Sequence, residues 1–254
     1  MTRSGVVFFV SAATLLFTGG ALQAAMVNTD FTEATLAATG LSTDIPNPSL
    51  ASITLDGAND RLVLSTFGGT DMWGARNNAP IAYILKPTTA NWYMQAEIEY
   101  PDSSGGKVMG FTVYSDADGS KPDWTFGLDN WAGQSGGLIN FQGLADNNPL
   151  IRISTTAQHV ILRLEVQEGA GAGGTNRYTA MYDLLDGNGM HTLGTYDSGF
   201  SNARAGIFLK SNTGRTGYFD NLTIVPEPTT LALLAIGGLA AMRANKRRRP
   251  VWVL

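Results

Sequence analysis

The residues best suited to chemistry cluster between positions 115 and 131. Asp116-Ala117-Asp118-Gly119-Ser120 opens in the D-x-D-G manner of oxygen-ligand calcium loops, and Asp123 stands where it could close the loop. Calcium takes about six to eight oxygen ligands, and carboxylates interleaved with a turn glycine supply several of them. The segment is not an EF-hand, because no bidentate Glu holds the twelfth position and no helical pattern flanks it. The same residues would also make an ordinary polar hairpin turn, since Asp and Gly favour turns for their own reasons. Ca2+, held by Asp116, Asp118 and Asp123, is the one cofactor these residue types suggest.

Asp129, Asn130 and Trp131 follow, with Gln134 close behind. A flat indole can stack on a sugar ring while carboxylate and amide groups bond its hydroxyls. Trp124 lies in the apolar run WTFGL and reads as core. Trp131 precedes Ala-Gly-Gln-Ser-Gly-Gly and reads as the border of a loop. Asn140 and Gln142 could add donors. The signs of catalysis are few. Glu97 and Glu99 share one face of a strand and read as solvated charges. His159 and His191 belong to no H-E-x-x-H pattern, and there is no G-x-S-x-G elbow. The absence of cysteine excludes thiol catalysis, a disulfide framework and Cys-ligated zinc.

The elements that must position these residues are strands. Period-two alternation runs through 93–100 (YMQAEIEY) and 159–167 (HVILRLEVQ). Shorter apolar or alternating runs occupy 52–55, 61–65, 108–114, 124–128, 138–142, 150–154, 177–185, 193–198, 206–210 and 218–225. Turn signals separate them, and 169–174 (GAGAGG) reads as a hairpin connection. No amphipathic helix is convincing. The spacing predicts an all-β fold, an antiparallel β-sandwich of the jelly-roll kind, over residues 26–225.

Both ends carry targeting patterns. Residues 1–25 read as a signal peptide, with Arg3 as the positive region and 6–17 as the apolar region. At the other end, residues 226–254 begin with Pro226, Glu227 and Pro228. An uncharged apolar run, 229–242, comes next, and then a basic cluster of Arg243, Lys246, Arg247, Arg248 and Arg249. The run is shorter than the roughly 20 residues of a comfortable membrane span. The basic cluster would stay cytoplasmic, leaving the body outside.

This three-part tail resembles the PEP-CTERM sorting signal. The resemblance implies an exosortase as processing partner and a transient inner-membrane anchor. It further implies a final place at the surface or in the extracellular matrix of a Gram-negative bacterium that makes extracellular polysaccharide. The added residues 250–254 depart from the pattern on the cytoplasmic side. The body, through 111–131 and 217–224, resembles concanavalin A-like, laminin-G-like jelly rolls, which implies a leaning towards glycan. The E-x-D-x-x-E run of laminarinase-type members is absent, so no catalytic residues carry over.

Residues 26–225 hold eleven Lys/Arg against twenty Asp/Glu, which leaves the body acidic. It has no electrostatic attraction for phosphate backbones, so nucleic acid is excluded as a partner. The expectation is an exported, non-catalytic glycan binder with polysaccharide as its partner. A structural biofilm protein without a ligand, or a glycan-acting hydrolase, are the alternatives.

Overall fold

The computed structural model describes residues 27–72, 78–87, 91–101, 105–115, 122–130, 138–143, 150–199 and 203–226. Among them are fifteen strands and no α-helix. The first sheet is built from β1 (Val27–Thr29), β3 (Ala51–Asp56), β4 (Arg61–Thr66), β6 (Asn91–Glu99), β11 (His159–Gln167), β12 (Asn176–Asp183), β13 (His191–Ser198) and β15 (Arg215–Pro226). Its order is β13-β12-β11-β6-β15-β4-β3, with β1 paired to β15. The second sheet holds β2 (Ser42–Asp44), β5 (Ile81–Leu85), β7 (Lys107–Ser115), β8 (Pro122–Asn130), β9 (Leu138–Gly143), β10 (Leu150–Ser154) and β14 (Ala203–Ser211). Its order is β10-β9-β8-β7-β14-β5-β2. Two antiparallel sheets packed face to face make the expected sandwich.

The first sheet obeys the alternation of its sequence. In β6 the inward residues Trp92, Met94, Ala96 and Ile98 are buried, and β11 buries Val160, Leu162, Leu164 and Val166. Phe111, Phe126 and Phe141 answer them from the second sheet. Their rings step along its inner face with centroids 6.1 and 6.0 Å apart, and Phe141 meets Tyr196 of β13 at 6.1 Å. Each such side chain contributes about 1.5–3 kcal/mol by leaving water.

β15 needs a correction of phase. Phe219, Leu222 and Ile224 all point into the core, which regular alternation forbids. Asp220 pairs with Glu97 and Thr223 with Gln95, so β15 carries one residue more than its partner. This β-bulge resets the phase. Asn221 takes the left-handed conformation there (φ 51°), one that Asn tolerates better than most residues.

Residues 169–174 do connect a hairpin, between β11 and β12. The sequence reading omits β1, β2 and β5. The first two have only three residues, too few to display a period.

Candidate functional site

The second sheet breaks the alternation. Every residue of β7 from Lys107 to Tyr114, and of β14 from Ala205 to Ser211, is buried. Both faces of the central strands are therefore covered. On the outer face, Val108, Tyr114, Phe208 and Ile81 form an apolar cluster with Met72 and Ala79. Thr112, Thr125, Asp129, Asn140 and Lys210, all buried, interleave with it, Val108 lying in register between Lys210 and Asp129.

Other positions of the face are glycine. Gly110 and Gly127 face each other across β7 and β8. A Cβ on Gly110 would run into the Phe126 carbonyl oxygen, and one on Gly127 into that of Met109. Gly206 lies opposite Thr112 on the neighbouring strand. At these glycines the strands approach their neighbours too closely for a side chain, and the backbone there is buried among hydroxyl, amide and charged groups.

The charges of this face are largely paired. Lys210 Nζ lies 2.9 Å from Asp71 Oδ1. Burial lowers the Lys210 pKa, while Asp71 and then Asp129 oppose that shift. Asn140 Nδ2 donates to Asp129 Oδ2 at 3.0 Å. Two carboxylates thus flank one ammonium, which suits neutralisation rather than an acid–base pair. At the opposite side of the face, Tyr83 and Tyr114 meet edge to face at 6.1 Å. The Arg204 guanidinium lies 4.5 Å from the Tyr83 ring centroid and 5.7 Å from that of Tyr114. Among the described residues, no side chain or backbone group meets the buried Tyr114 hydroxyl with full hydrogen-bond geometry. Burial drives its pKa upward, with Arg204 pulling the other way. Tyr114 is therefore a neutral phenol.

Of the residues singled out by sequence, Asp129 lies on this face and is bonded within it. Asn130 ends β8, where its carbonyl accepts the Gly106 N–H at 2.5 Å. Asp123 belongs to the start of β8 by its backbone. Asp116, Asp118, Trp131, Gln134, Glu227, Pro228 and the basic cluster at 243–249 lie outside the described residues, as does the leader 1–25. Among the described residues, no group of three or more Asp, Glu or His could hold a metal ion, and no helix is long and apolar enough to cross a membrane.

His159 is not alone, because its Nε2 lies 2.5 Å from Glu97 Oε1. Glu97 also accepts from Asn221, and Glu99 pairs with Arg61. These contacts sit on the solvated face of the first sheet. Tyr83, Thr112, Tyr114, Thr125, Arg204 and Lys210 escape the sequence reading. The available signal is KVMGFTVYS and ARAGIFLKS, long strands without a polar alternate face.

The final strand carries the remaining functional feature. Val225 and Pro226 still pair with Tyr93 and Trp92 in the middle of the first sheet. Residues 225–249 match the PEP-CTERM protein-sorting motif. The chain is accordingly an exported protein sorted to the cell envelope or surface. No curated protein matches it by sequence.

Solved structures resemble its fold at low identity. A functionally unknown protein from Saccharomyces cerevisiae matches with a TM-score of 0.55 at 13% identity, over 73% of this chain and 96% of that one. An alginate lyase mutant in complex with alginate tetrasaccharide matches with a TM-score of 0.53 at 11% identity, over 80% of this chain and 97% of that one. The GH43 protein of Bacillus licheniformis gives 0.56 at 15% identity, over 78% of this chain but 38% of its own length. At these identities the likeness is one of fold.

Proposed function

We propose that this exported protein binds polysaccharide, without catalysis, on the outer face of the seven-stranded sheet and the β8–β9 connection beside it. The observation that carries the reading is the group of polar side chains Thr112, Thr125 and Asn140 on this face, among glycines that add no side chain of their own. Hydroxyl and amide groups suit sugar hydroxyls. Trp131 and Gln134, which follow β8 directly, would supply the stacking surface and a further amide, with Asp129 and Asn130 at the strand end. We read the sandwich as the concanavalin A-like, laminin-G-like type, and the similarity of its fold to an alginate lyase and a GH43 protein supports a glycan ligand. The same reading includes calcium at Asp116, Asp118 and Asp123. It also includes exosortase processing from the inner membrane to the surface or matrix of a Gram-negative bacterium.

One observation favours a second reading, a structural surface protein with no ligand. Met72 and Ala79 pack into the apolar cluster of the face. A glycan array that includes neutral and uronate polysaccharides, probed with residues 26–225, separates the two. Binding is expected, and Thr125→Val and Trp131→Ala should each weaken it several-fold while the body stays folded. An array without a hit favours the structural protein. A Trp131→Ala variant that instead loses about 3–5 kcal/mol of stability would place that indole in the core.

A further inference from the structure

The strand that bears the start of the sorting motif is an interior strand of the first sheet. β15 runs between β6 and β4, and beyond Phe219 its free edge is taken by β1. Thr223, Ile224, Val225 and Pro226 pair in register with Gln95, Met94, Tyr93 and Trp92. Val27, the first described residue, sits opposite Ile224. The chain therefore enters and leaves the fold at one end of the sandwich, and it leaves from a sheet rather than from a linker.

Only Glu227 and Pro228 separate Pro226 from the apolar run that starts at Thr229. Fully extended, two residues reach about 7 Å. The headgroup layer on each side of a bilayer is on the order of 5–7 Å thick. The run 229–242 would rise about 21 Å as a helix, against a hydrocarbon core of about 30 Å. A run shorter than the hydrocarbon core is met by local thinning of the bilayer, which leaves the body little slack to stand off.

The two sheets share this end. β5 is followed by Lys86, whose Nζ lies 2.5 Å from Oε1 of Glu168, just past β11. The same oxygen accepts from Trp92 Nε1 at 3.2 Å. Nearby, Arg177 pairs with Asp197 at 3.0 Å. Lys86 with Glu168 and Arg177 with Asp197 thus compensate one another, so neither pair opposes contact with a headgroup layer.

We propose that, before its tail is cut, the protein stands upright on the bilayer. The end formed by Lys86, Trp92, Glu168 and the 169–175 turn lies in the headgroup layer. The opposite end, where β8 finishes at Asn130, points away. This rests on reading the tail as a membrane segment. Asp129 and Asn130 are then held outward by the fold itself.

The absence of cysteine makes the test direct, because a single introduced thiol can be labelled without background. Ala172, at the tail-exit end, and Thr156, at the other, are both exposed. Full-length Ala172→Cys and Thr156→Cys, each carrying a fluorophore, are placed in phosphatidylethanolamine/phosphatidylglycerol vesicles containing headgroup-spin-labelled lipid. Co-flotation reports insertion of the tail, and quenching reports height. The expected result is flotation with quenching several-fold stronger for the Ala172→Cys label than for the Thr156→Cys label. The difference should vanish when a flexible Gly/Ser spacer of roughly 20 residues is placed between Pro226 and Glu227. Flotation with equal quenching in the chain without the spacer overturns the orientation alone. Failure to float overturns the membrane reading of the tail and the orientation with it.

Discussion

Asp220 sits on the first sheet beside its bulge, where burial raises its pKa and the nearby carboxylates of Glu97, Asp30 and Asp60 raise it further. The N–H of Asn221, donating at 2.6 Å, opposes the shift. A carboxyl whose pKa is higher folded than unfolded makes its ionisation a cost to folding. That cost is absent below the unfolded value of about 3.9 and fully present once the pH has passed the folded value. Asp220→Asn keeps an acceptor for the Asn221 N–H and removes the charge. The variant should therefore melt above the wild type at pH 7, and the difference should shrink to nothing by about pH 4. Thermal unfolding across that range checks the sign. A variant that melts lower at pH 7 would mean that the carboxylate is a net stabiliser.

The bulge in β15 is the element whose local geometry most affects the whole. Without its extra residue, Asn221 and Thr223 would face the core and Leu222 and Ile224 would face water. The bulge also turns the end of β15 towards β1. Asn221 carries the left-handed conformation and donates from Nδ2 to Glu97 Oε2 at 3.2 Å. Asn221→Gly, which adopts the conformation freely, should hold most of the stability. Asn221→Val should lose about 1–2 kcal/mol, the cost of the left-handed region for a residue with a crowded Cβ. Urea unfolding of both variants measures the difference. Equal losses would assign the effect to the amide contact with Glu97 instead of the backbone.

At the scale of the molecule, the sandwich separates its two candidate ligand regions. β7 finishes at Ser115 and β8 begins at Pro122 at the tail-exit end, and these two described residues flank the acidic D-x-D-G segment in the chain. Asn130 finishes β8 at the other. If calcium binds the folded body only, it must stabilise that body by mass action, by about 2.7 kcal/mol at one hundred times the dissociation constant. Millimolar calcium should raise the unfolding temperature of residues 26–225, and Asp118→Ala should abolish most of the rise. An unchanged melting curve would leave the segment an ordinary turn.

Local chemistry was legible without coordinates. The tail is contiguous, so its Pro-Glu-Pro, apolar and basic parts can be read in order. The alternation in YMQAEIEY and HVILRLEVQ is likewise a property of one strand against one core, and the first sheet follows it. The candidate face was not legible, because it depends on residues far apart in the chain. Lys210 meets Asp71, Arg204 meets Tyr83 and Tyr114, and Gly110 meets Gly127 only after β5, β7, β8 and β14 have paired. Sequence alone determined an exported, cysteine-free, acidic all-β body with a sorting tail. Tertiary structure decided which strands are neighbours, that β7 and β14 of the second sheet are covered on both faces, and that β15, which bears the start of the sorting motif, ends within a sheet. Periodicity records whether a side chain faces inward from its own strand, whereas burial of the opposite face is set by whatever distant segment folds across it.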